Sequence, residues 1–279
     1  MKGDTGTARE VAEKLTGAQI RRRLQKAFSE ARRHSATGKI WLDLYAGSYS
    51  VGSKLRLAMK TEGLAFDLKD GPHFDLSDET VVQFVLKQVR SRSVSAAWIA
   101  FPCSTWSNTR RPLIRSSVYL NGTPEALVQP ELRRQLHAGD LTLSAAIRIG
   151  NACWRARVPA VLENPQTSLA WQHGKFKWLR QQLDVCEVVT DQCGFGTPWR
   201  KRTRLMCVRI STDDARSLVR RCSGRSGRCS FSGKQHVQVV GSTLSRRSAK
   251  YSPQFARAAA SCLAKAFEKQ DLEDCLRWC

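Results

Sequence analysis

The sequence predicts an α/β fold in which a mostly parallel sheet is flanked by helices. Short apolar runs, typical of buried strands, alternate along the chain with stretches of helical periodicity. Residues 39–48 pass from an apolar strand into a small-residue turn and then a helix, as at the start of a doubly wound sheet. The run at 96–101 leads directly into Pro102-Cys103. Because such sheets bind ligands at the carboxyl ends of their strands, both run ends are candidate site positions.

The charge balance is strongly basic. The 279 residues include 46 Lys and Arg against 24 Asp and Glu, a formal net charge of +22. This excess predicts attraction to a polyanion, nucleic acid first, and arginine pairs recur along the whole chain. A basic surface that is merely solvated is the alternative. Charge indicates affinity here and no particular chemistry.

The sequence carries no signal for a membrane or for secretion. No run of about 18 apolar residues occurs, and residues 1–5 lack the apolar core of a signal peptide. We therefore expect an intracellular protein, nuclear in a eukaryote and otherwise cytoplasmic. In that reducing setting the ten cysteines are free thiols or metal ligands rather than a disulfide framework.

The first part of the chain, residues 1–38, predicts a basic amphipathic helix over about 8–34. Arginines and lysines separate its apolar positions, which are Val11, Leu15, Ile20, Leu24 and Phe28. It is either an arm for nucleic acid or an ordinary helix packed on the domain with a solvated charged face.

Two acids that follow the first strand are candidates for binding a ribose. After the small-residue turn, the periodicity predicts a helix over 51–59, a strand over 63–67 and a helix over 78–90. Asp67 ends the strand 20 residues after Gly47, where doubly wound folds place a carboxylate on a ribose hydroxyl. Asp75 is a second acid of this kind.

The stretch between residues 105 and 140 is basic and polar, with prolines at 112, 124 and 130. We expect it to be irregular, either a mobile substrate loop beside Cys103 or a surface insertion. A helix over 141–156 and an apolar strand over 158–162 follow, and the strand ends in Glu163. In a parallel sheet the two strand ends face one crevice, so Cys103 and Glu163 are predicted to lie together.

The rest of the chain is predicted to add two strands and a closing helix. In order, it holds a helix over 168–183, a strand over 185–189, a basic turn over 199–204, a strand over 205–208, a polar glycine-rich stretch over 211–250 and a helix over 253–276.

The glycine-rich stretch contains a candidate metal site. Cys222, Cys229 and His236 follow one another with six residues between successive members. A region with so little apolar content has few other means of holding its shape, so we expect zinc there. Cys193 or Cys207 would supply a fourth ligand. A chance arrangement in a chain with ten cysteines is the alternative.

In order and content, these segments resemble the cytosine-C5 DNA methyltransferase family, as a divergent member of the kind carried by phages and mobile elements. Four short motifs and one segment carry the resemblance: Asp43-Leu44-Tyr45-Ala46-Gly47 is similar to the family's cofactor motif, Phe101-Pro102-Cys103 to its nucleophile motif, Leu162-Glu163-Asn164 to its glutamate motif, Arg202-Thr203-Arg204 to its paired-arginine motif, and 251–260 stands in the place of its C-terminal cofactor motif. The resemblance covers residues 39–208 and again about 250–265.

The resemblance implies methyl transfer from S-adenosylmethionine to C5 of a cytosine in DNA. Cys103 would add to C6 of the base, and Glu163 would bind N3. Arg204, supported by Arg202, would hold O2. Since C6 is inaccessible in a stacked duplex, the target base would be flipped out, while basic loops hold the phosphates.

The resemblance also implies a class I methyltransferase fold, which is Rossmann-like. Residues 39–208 would form the catalytic domain, 209–249 a small basic insertion for recognition or zinc, and 250–279 a C-terminal helix that completes the domain. The residues implied in binding S-adenosylmethionine are Asp43, Tyr45, Ala46, Gly47, Asp67, Asp75 and Pro102.

Two alternatives stay open. One branch of the family methylates transfer RNA, and the short insertion has no DNA-specific signature, so RNA is a second candidate substrate. The chain could instead be an inactive nucleic-acid-binding module of the same fold. The turn Gly47-Ser48-Tyr49-Ser50 has less glycine than the family's cofactor turn, and Tyr49 would crowd the cofactor. The presence of Cys103, Glu163 and both arginines argues against an inactive module.

Overall fold

Six strands form one mixed sheet in the computed structural model, which describes residues 15–276. The strands are β1 (Ile40–Leu44), β2 (Gly63–Phe66), β3 (Val94–Ile99), β4 (Ala160–Pro165), β5 (Val185–Asp191) and β6 (Arg202–Val208). Their order across the sheet is β2-β1-β3-β4-β6-β5. The predicted α/β fold with a mostly parallel sheet is therefore confirmed.

A single reversed strand makes the sheet mixed. β1 pairs with β2 and with β3 in parallel, and β3 pairs with β4 in parallel. β6 runs antiparallel to both β4 and β5. The carboxyl ends of β1, β3 and β4 thus meet at one edge of the sheet, where the amino end of β6 joins them.

Helices cover both faces of the sheet. They are α1 (Gly17–Arg33), α2 (Ser50–Met59), α3 (Glu79–Arg90), α4 (Pro124–Val128), α5 (Pro130–Ala156), α6 (Gly174–Arg180), α7 (Thr212–Ala215), α8 (Gly241–Ser248) and α9 (Pro253–Leu276). One apolar core joins α1, α3, α5 and α6 to side chains such as Leu42 and Leu162. The other joins α2 and α9 to Trp41, Trp98 and Val161. Successive strand residues point to opposite faces, so strands such as β1, β3, β4 and β6 contribute side chains to both cores.

Helix α1 packs on the domain. Ile20, Leu24 and Phe28 are buried in the first core, while the arginines between them stay exposed. Thr16 and Gln19 form a reciprocal capping box at its start. This favours the ordinary packed helix over a detached nucleic-acid arm. The predicted helical segment at 8–14 lies outside the described residues.

The prediction that residues 105–140 are irregular is wrong for the second half of that stretch, which is helical. Thr123 caps α4, with its hydroxyl accepting a hydrogen bond from the Ala126 N–H at 3.3 Å. Pro124 and Pro130 begin α4 and α5, where proline's missing N–H costs no helical bond. These prolines mark helix starts, and α5 begins eleven residues before the predicted start.

The first half of that stretch is irregular, and a buried arginine holds it in place. Arg115 has a side chain with no exposed surface, and its guanidinium lies 3.8 Å from the centre of the Trp106 ring. It donates hydrogen bonds to the Leu136 carbonyl at 2.9 Å and to Asp140 at 2.8 Å. The loop beside Cys103 is therefore an anchored structure.

Two further differences concern short elements. The single helix predicted over 168–183 is a 3₁₀ turn (Leu169–Gln172) followed by α6, because His173 adopts an extended backbone between them. In the segment predicted as an insertion, Ile210, Ala215 and Leu218 lie buried in the second core. Within the described residues, no helix has both the length and the apolar character needed to cross a membrane.

Candidate functional site

Cys103 lies in a tight turn just past β3. The turn closes with a hydrogen bond from the Trp106 N–H to the Cys103 carbonyl at 3.0 Å. Phe101 on one side stacks on Phe176 with ring centres 5.6 Å apart, and Trp106 on the other side is buried. Buried aromatic anchors thus hold the backbone around a thiol that remains partly exposed.

Asn164 connects this turn to the neighbouring strand. Its side-chain amide donates a hydrogen bond to the Phe101 carbonyl at 2.7 Å. Asn164 is fully buried on β4, directly after Glu163. It therefore acts as a positioning residue that keeps the ends of β3 and β4 together.

Glu163 enters the same crevice with one carboxylate oxygen free. It is 5% exposed, and its Oε2 accepts a hydrogen bond from the Tyr251 hydroxyl at 2.8 Å. Its buried Oε1 has no hydrogen-bond partner among the residues that the structure describes. A buried carboxyl oxygen left in this state is costly unless a ligand satisfies it.

The electrostatics of the two groups are linked by Lys201. Burial raises the pKa of the Cys103 thiol, the Lys201 ammonium lowers it and the Glu163 carboxylate raises it. Burial likewise raises the pKa of Glu163, against the opposing effects of Lys201 and of the Tyr251 hydroxyl. The crevice therefore favours a protonated Glu163 beside a thiol that needs a cation to ionise.

The predicted arginines lie elsewhere. Arg204 stands opposite Asn164 in the β4–β6 register, while Glu163 stands opposite Leu205, so Arg204 and Glu163 leave opposite faces of the sheet. Arg204 forms an ion pair with Glu187 at 3.5 Å. Arg202 is bound to Asp191 at 2.9 Å. The structure does not bring either arginine to Glu163.

Lys201, Tyr251 and Asn164 are site residues to which the sequence interpretation gave no role. Asn164 and Tyr251 fall inside quoted motifs, so position alone could have drawn attention to them. Side chains alternate between the two faces of a strand, so Lys201, four residues before Leu205, lies on the same face as Leu205. Leu205 stands opposite Glu163, so Lys201 and Glu163 share that face. That signal needs the register between β4 and β6, which a single sequence does not supply.

The turn after β1 contacts Asp67, the acid that follows β2 and that is predicted to bind a ribose hydroxyl. The Gly47 N–H donates to Asp67 Oδ2 at 2.8 Å, and Gly47 adopts a φ of +53°. Asp43 is buried, and its Oδ2 accepts the Gly52 N–H at 2.8 Å. Burial raises the pKa of Asp43 to about 7, although the bond from Gly52 opposes this effect. Asp43 thus holds the first turn of α2, which follows the small-residue turn.

The other predicted cofactor residues are Tyr45, Ala46, Asp75 and Pro102. The Tyr45 hydroxyl donates to the Thr142 carbonyl at 2.8 Å, and the Ala46 N–H donates to the Phe66 carbonyl at 3.0 Å. Asp75 accepts hydrogen bonds from the Ser77 N–H and hydroxyl, both at 2.8 Å. Pro102 is exposed beside Cys103.

Tyr49, in the turn after β1, contacts the segment that follows β2. Its hydroxyl bonds to Asp70, and the Lys69 ammonium lies 3.8 Å from the centre of its ring. Tyr49 itself has a positive φ of 56°. The side chain that departs from the glycine-rich pattern is thus held over the segment that follows β2.

The predicted metal residues come together. Cys222, Cys229 and His236 are joined by Cys193, and the four ligand atoms all lie within 4.8 Å of one another. Cys207, the other candidate for the fourth ligand, is buried in the second core and is not part of this group. Its place inside an apolar strand explains this burial.

Neither a family model, nor a curated protein, nor a solved structure matches this chain.

Proposed function

We propose that this protein is an S-adenosylmethionine-dependent cytosine-C5 methyltransferase that acts on DNA through a class I methyltransferase fold. The observation that carries the proposal is that Cys103 and Glu163 stand at the carboxyl ends of adjacent strands, and that one buried oxygen of Glu163 has no hydrogen-bond partner among residues 15–276. A flipped cytosine offers both a C6 for a thiolate and an N3 for such an oxygen.

The residues divide the chemistry between them. The Cys103 thiolate uses an electron pair to form an S–C6 bond, and ring electrons move toward N3. Glu163, whose pKa burial raises, supplies the proton or hydrogen bond that N3 then requires. C5 becomes nucleophilic as a result. After methylation, the C5 proton passes to solvent and its electron pair re-forms the C5–C6 double bond as the S–C6 bond breaks, which returns the thiolate, while Glu163 takes back the proton from N3.

Lys201 takes the place that the resemblance assigns to Arg204. Its charge lowers the pKa of both Cys103 and Glu163, against the larger effect of burial on each. A cation at this position favours thiolate formation and stabilises negative charge that develops on O2 of the base. In this proposal Arg202 and Arg204 support the strand, because both are bound to carboxylates.

The residues around β1 and β2 fit the cofactor. The turn at Gly47 and Ser48 exposes backbone, and Asp67 lies against it with a carboxylate suited to ribose hydroxyls. Asp43, Tyr45 and Ala46 bind the neighbouring elements, which are α2, α5 and β2, and so fix the chain on which the turn stands. When bound, S-adenosylmethionine would supply an electrophilic methyl group and would be left as S-adenosylhomocysteine.

A second candidate function is supported by Tyr49. Its contacts with Lys69 and Asp70 hold its side chain over the segment that follows β2, which begins at Asp67. A module that binds nucleic acid without the cofactor would keep these contacts. RNA is the alternative substrate of the active enzyme.

The test is covalent trapping on a duplex that contains 5-fluorocytosine, with S-adenosylmethionine, followed by a denaturing gel. Because fluorine at C5 cannot leave as a proton does, an active enzyme stays attached through Cys103. We expect an adduct with the wild type and with Cys275→Ser, which alters an exposed thiol, and none with Cys103→Ser. Cytosine in place of 5-fluorocytosine should give no adduct.

The outcomes separate the candidates. An adduct on RNA and none on DNA would move the substrate to RNA. No adduct on either, from a protein that still binds nucleic acid, would overturn the enzyme in favour of the binding module.

A further inference from the structure

A second cluster of reactive side chains lies outside the crevice. Cys193 follows β5, whereas Cys222, Cys229 and His236 belong to the segment over 219–240 that folds against it. All four residues are buried, and none of the three cysteines is in a disulfide. The chain thus brings three thiols and an imidazole together from positions up to 43 residues apart.

The spacing of the ligand atoms suits a tetrahedral ion. A zinc ion bound to sulfur at about 2.3 Å and to nitrogen at about 2.05 Å separates those two atoms by about 3.6 Å in a tetrahedron. Cys222 Sγ and His236 Nε2 are 3.7 Å apart. The remaining pairs fall within 4.8 Å, close enough for one ion to bind all four.

The segment around the cluster has little else to hold it. Among the described residues, the three cysteines form an apolar cluster by themselves, and Phe231, Val237 and Val240 are exposed. Regular structure here is limited to a 3₁₀ turn at Arg225–Gly227 and an isolated bridge between Arg228 and Gln235. A segment of this kind needs a metal or a disulfide to be stable.

We propose that Cys193, Cys222, Cys229 and His236 form a structural zinc site. Four protein ligands close the coordination sphere, which distinguishes a structural site from a catalytic one that keeps an open position. Binding exchanges three thiol protons for one Zn²⁺ and leaves the site with one negative charge. The Ser230 N–H, 3.3 Å from Cys222 Sγ, is placed to stabilise that charge.

The site fastens the segment to the start of β6. Asp191 accepts hydrogen bonds from the Cys222 N–H at 2.8 Å and from Arg202 at 2.9 Å. Arg200 donates to the Cys222 carbonyl. A cleft of about 410 Å³ lies between the segment and this strand start, and its lining includes Arg200, Lys201 and His236. Zinc would therefore hold the wall of this basic cleft to which His236 belongs, whether or not methyl transfer occurs in the neighbouring crevice.

The first experiment is metal analysis of the full chain, purified without chelator. We expect about one zinc per chain in the wild type and in Cys275→Ser, whose altered thiol is exposed and lies outside the cluster. Cys229→Ser and His236→Ala should each lose most of it. Zinc retained in full by both variants, or absent from the wild type, would contradict the site.

A second measurement remains informative where a variant fails to fold. Wild-type protein stripped of metal is treated with a thiol-alkylating reagent, with or without one equivalent of Zn²⁺, and the labelled cysteines are identified by mass spectrometry. We expect zinc to protect Cys193, Cys222 and Cys229 and to leave Cys275 equally reactive. Co²⁺ in place of Zn²⁺ should give the visible absorption of a tetrahedral thiolate site. Equal labelling of all four cysteines with and without zinc would overturn the proposal.

Discussion

Cys103, Glu163 and Lys201 form a small electrostatic system at the scale of single residues. Burial raises the pKa of the thiol and of the carboxyl, and Lys201 lowers both. The Glu163 carboxylate further raises the pKa of Cys103. The state suited to attack on a base is a thiolate beside a protonated carboxyl. Lys201 favours the thiolate, and burial favours the protonated carboxyl.

Two substitutions should move the titration of Cys103 in opposite directions. Lys201→Met removes a positive charge and is expected to raise the pKa of Cys103. Glu163→Gln removes the carboxyl whose ionised form raises the pKa of Cys103, and it is expected to lower that pKa. Each shift should be about half a unit to one unit, the size of one partly screened charge at short range. The measurement is the rate of Cys103 alkylation against pH, with the Cys103 peptide quantified by mass spectrometry.

The control for this pair is Lys265→Met, which removes an exposed lysine on α9. It should leave the alkylation profile of Cys103 unchanged. Because a raised thiol pKa means less thiolate at a given pH, the Lys201→Met profile must lie on the alkaline side of the wild type. A shift to the acid side would contradict the assigned role of Lys201.

Helix α5 supports the Cys103 turn at the scale of elements. A Cβ on Gly139 would lie 2.1 Å from Thr105 Oγ1 and 3.0 Å from Thr105 Cβ. The indole N–H of Trp106 donates to the Gly139 carbonyl at 3.3 Å. Close contact between helix and turn thus depends on a residue without a side chain.

Gly139→Ala is therefore expected to destabilise the protein by about 1–3 kcal/mol, the usual cost of overpacking. It should also impair any reaction at Cys103, because the turn must move to admit the methyl group. Chemical denaturation measures the first effect, and adduct formation on 5-fluorocytosine measures the second. Gly174→Ala is the matched control: a Cβ there meets nothing within 4 Å, so stability should change by no more than about 0.5 kcal/mol. Equal effects of the two substitutions would contradict this account of α5.

The elements also show which parts of the fold a sequence can predict. The strands were predictable because apolar runs such as 96–101 and 158–162 are buried on both faces. The start of α5 was missed because Pro130 can either end a helix or begin one, and local composition does not decide between these roles. The start of α6 was misplaced because the extended backbone of His173, which separates α6 from the 3₁₀ turn, depends on packing around it.

The candidate site was likewise predictable only in part, namely where strand topology alone brings residues together. Parallel strands bring Cys103 and Glu163 to one edge, so their proximity followed from topology alone. The placement of Arg204 depended on the register of β6 against β4, which alternation within one strand cannot reveal. Cys193 and Cys207 were equivalent candidates by spacing, and only the tertiary fold places Cys193 with the other three metal residues.

Net charge governs binding at the scale of the whole molecule. With a net charge of +22, affinity for a DNA duplex should fall steeply as salt rises. A protein that makes about six phosphate contacts loses roughly 10³-fold in affinity between about 50 mM and about 200 mM salt, and we expect at least this dependence. Fluorescence anisotropy over a series of salt concentrations measures it. A nearly flat dependence would contradict nucleic acid as the partner.

The same titration can locate the contacts. Arg110 and Arg111 lie in the loop that follows Cys103, so the double variant Arg110→Gln/Arg111→Gln should reduce the slope by up to about 2. Arg216→Gln, whose arginine is exposed and paired with Asp213, serves as the control and should change it little. An equal reduction in both would place the contacts elsewhere on the surface.

Helix α9 covers strands that are made long before it. Phe255 and Leu263 of α9 pack in one core with Trp41 and Trp98, which belong to β1 and β3. A ribosome releases β1 and β3 first and α9 last of the described elements, so until then α2 shields that face only in part. An emerging chain with an exposed apolar sheet face is prone to aggregate. We therefore expect chaperones to matter most to this protein during its synthesis.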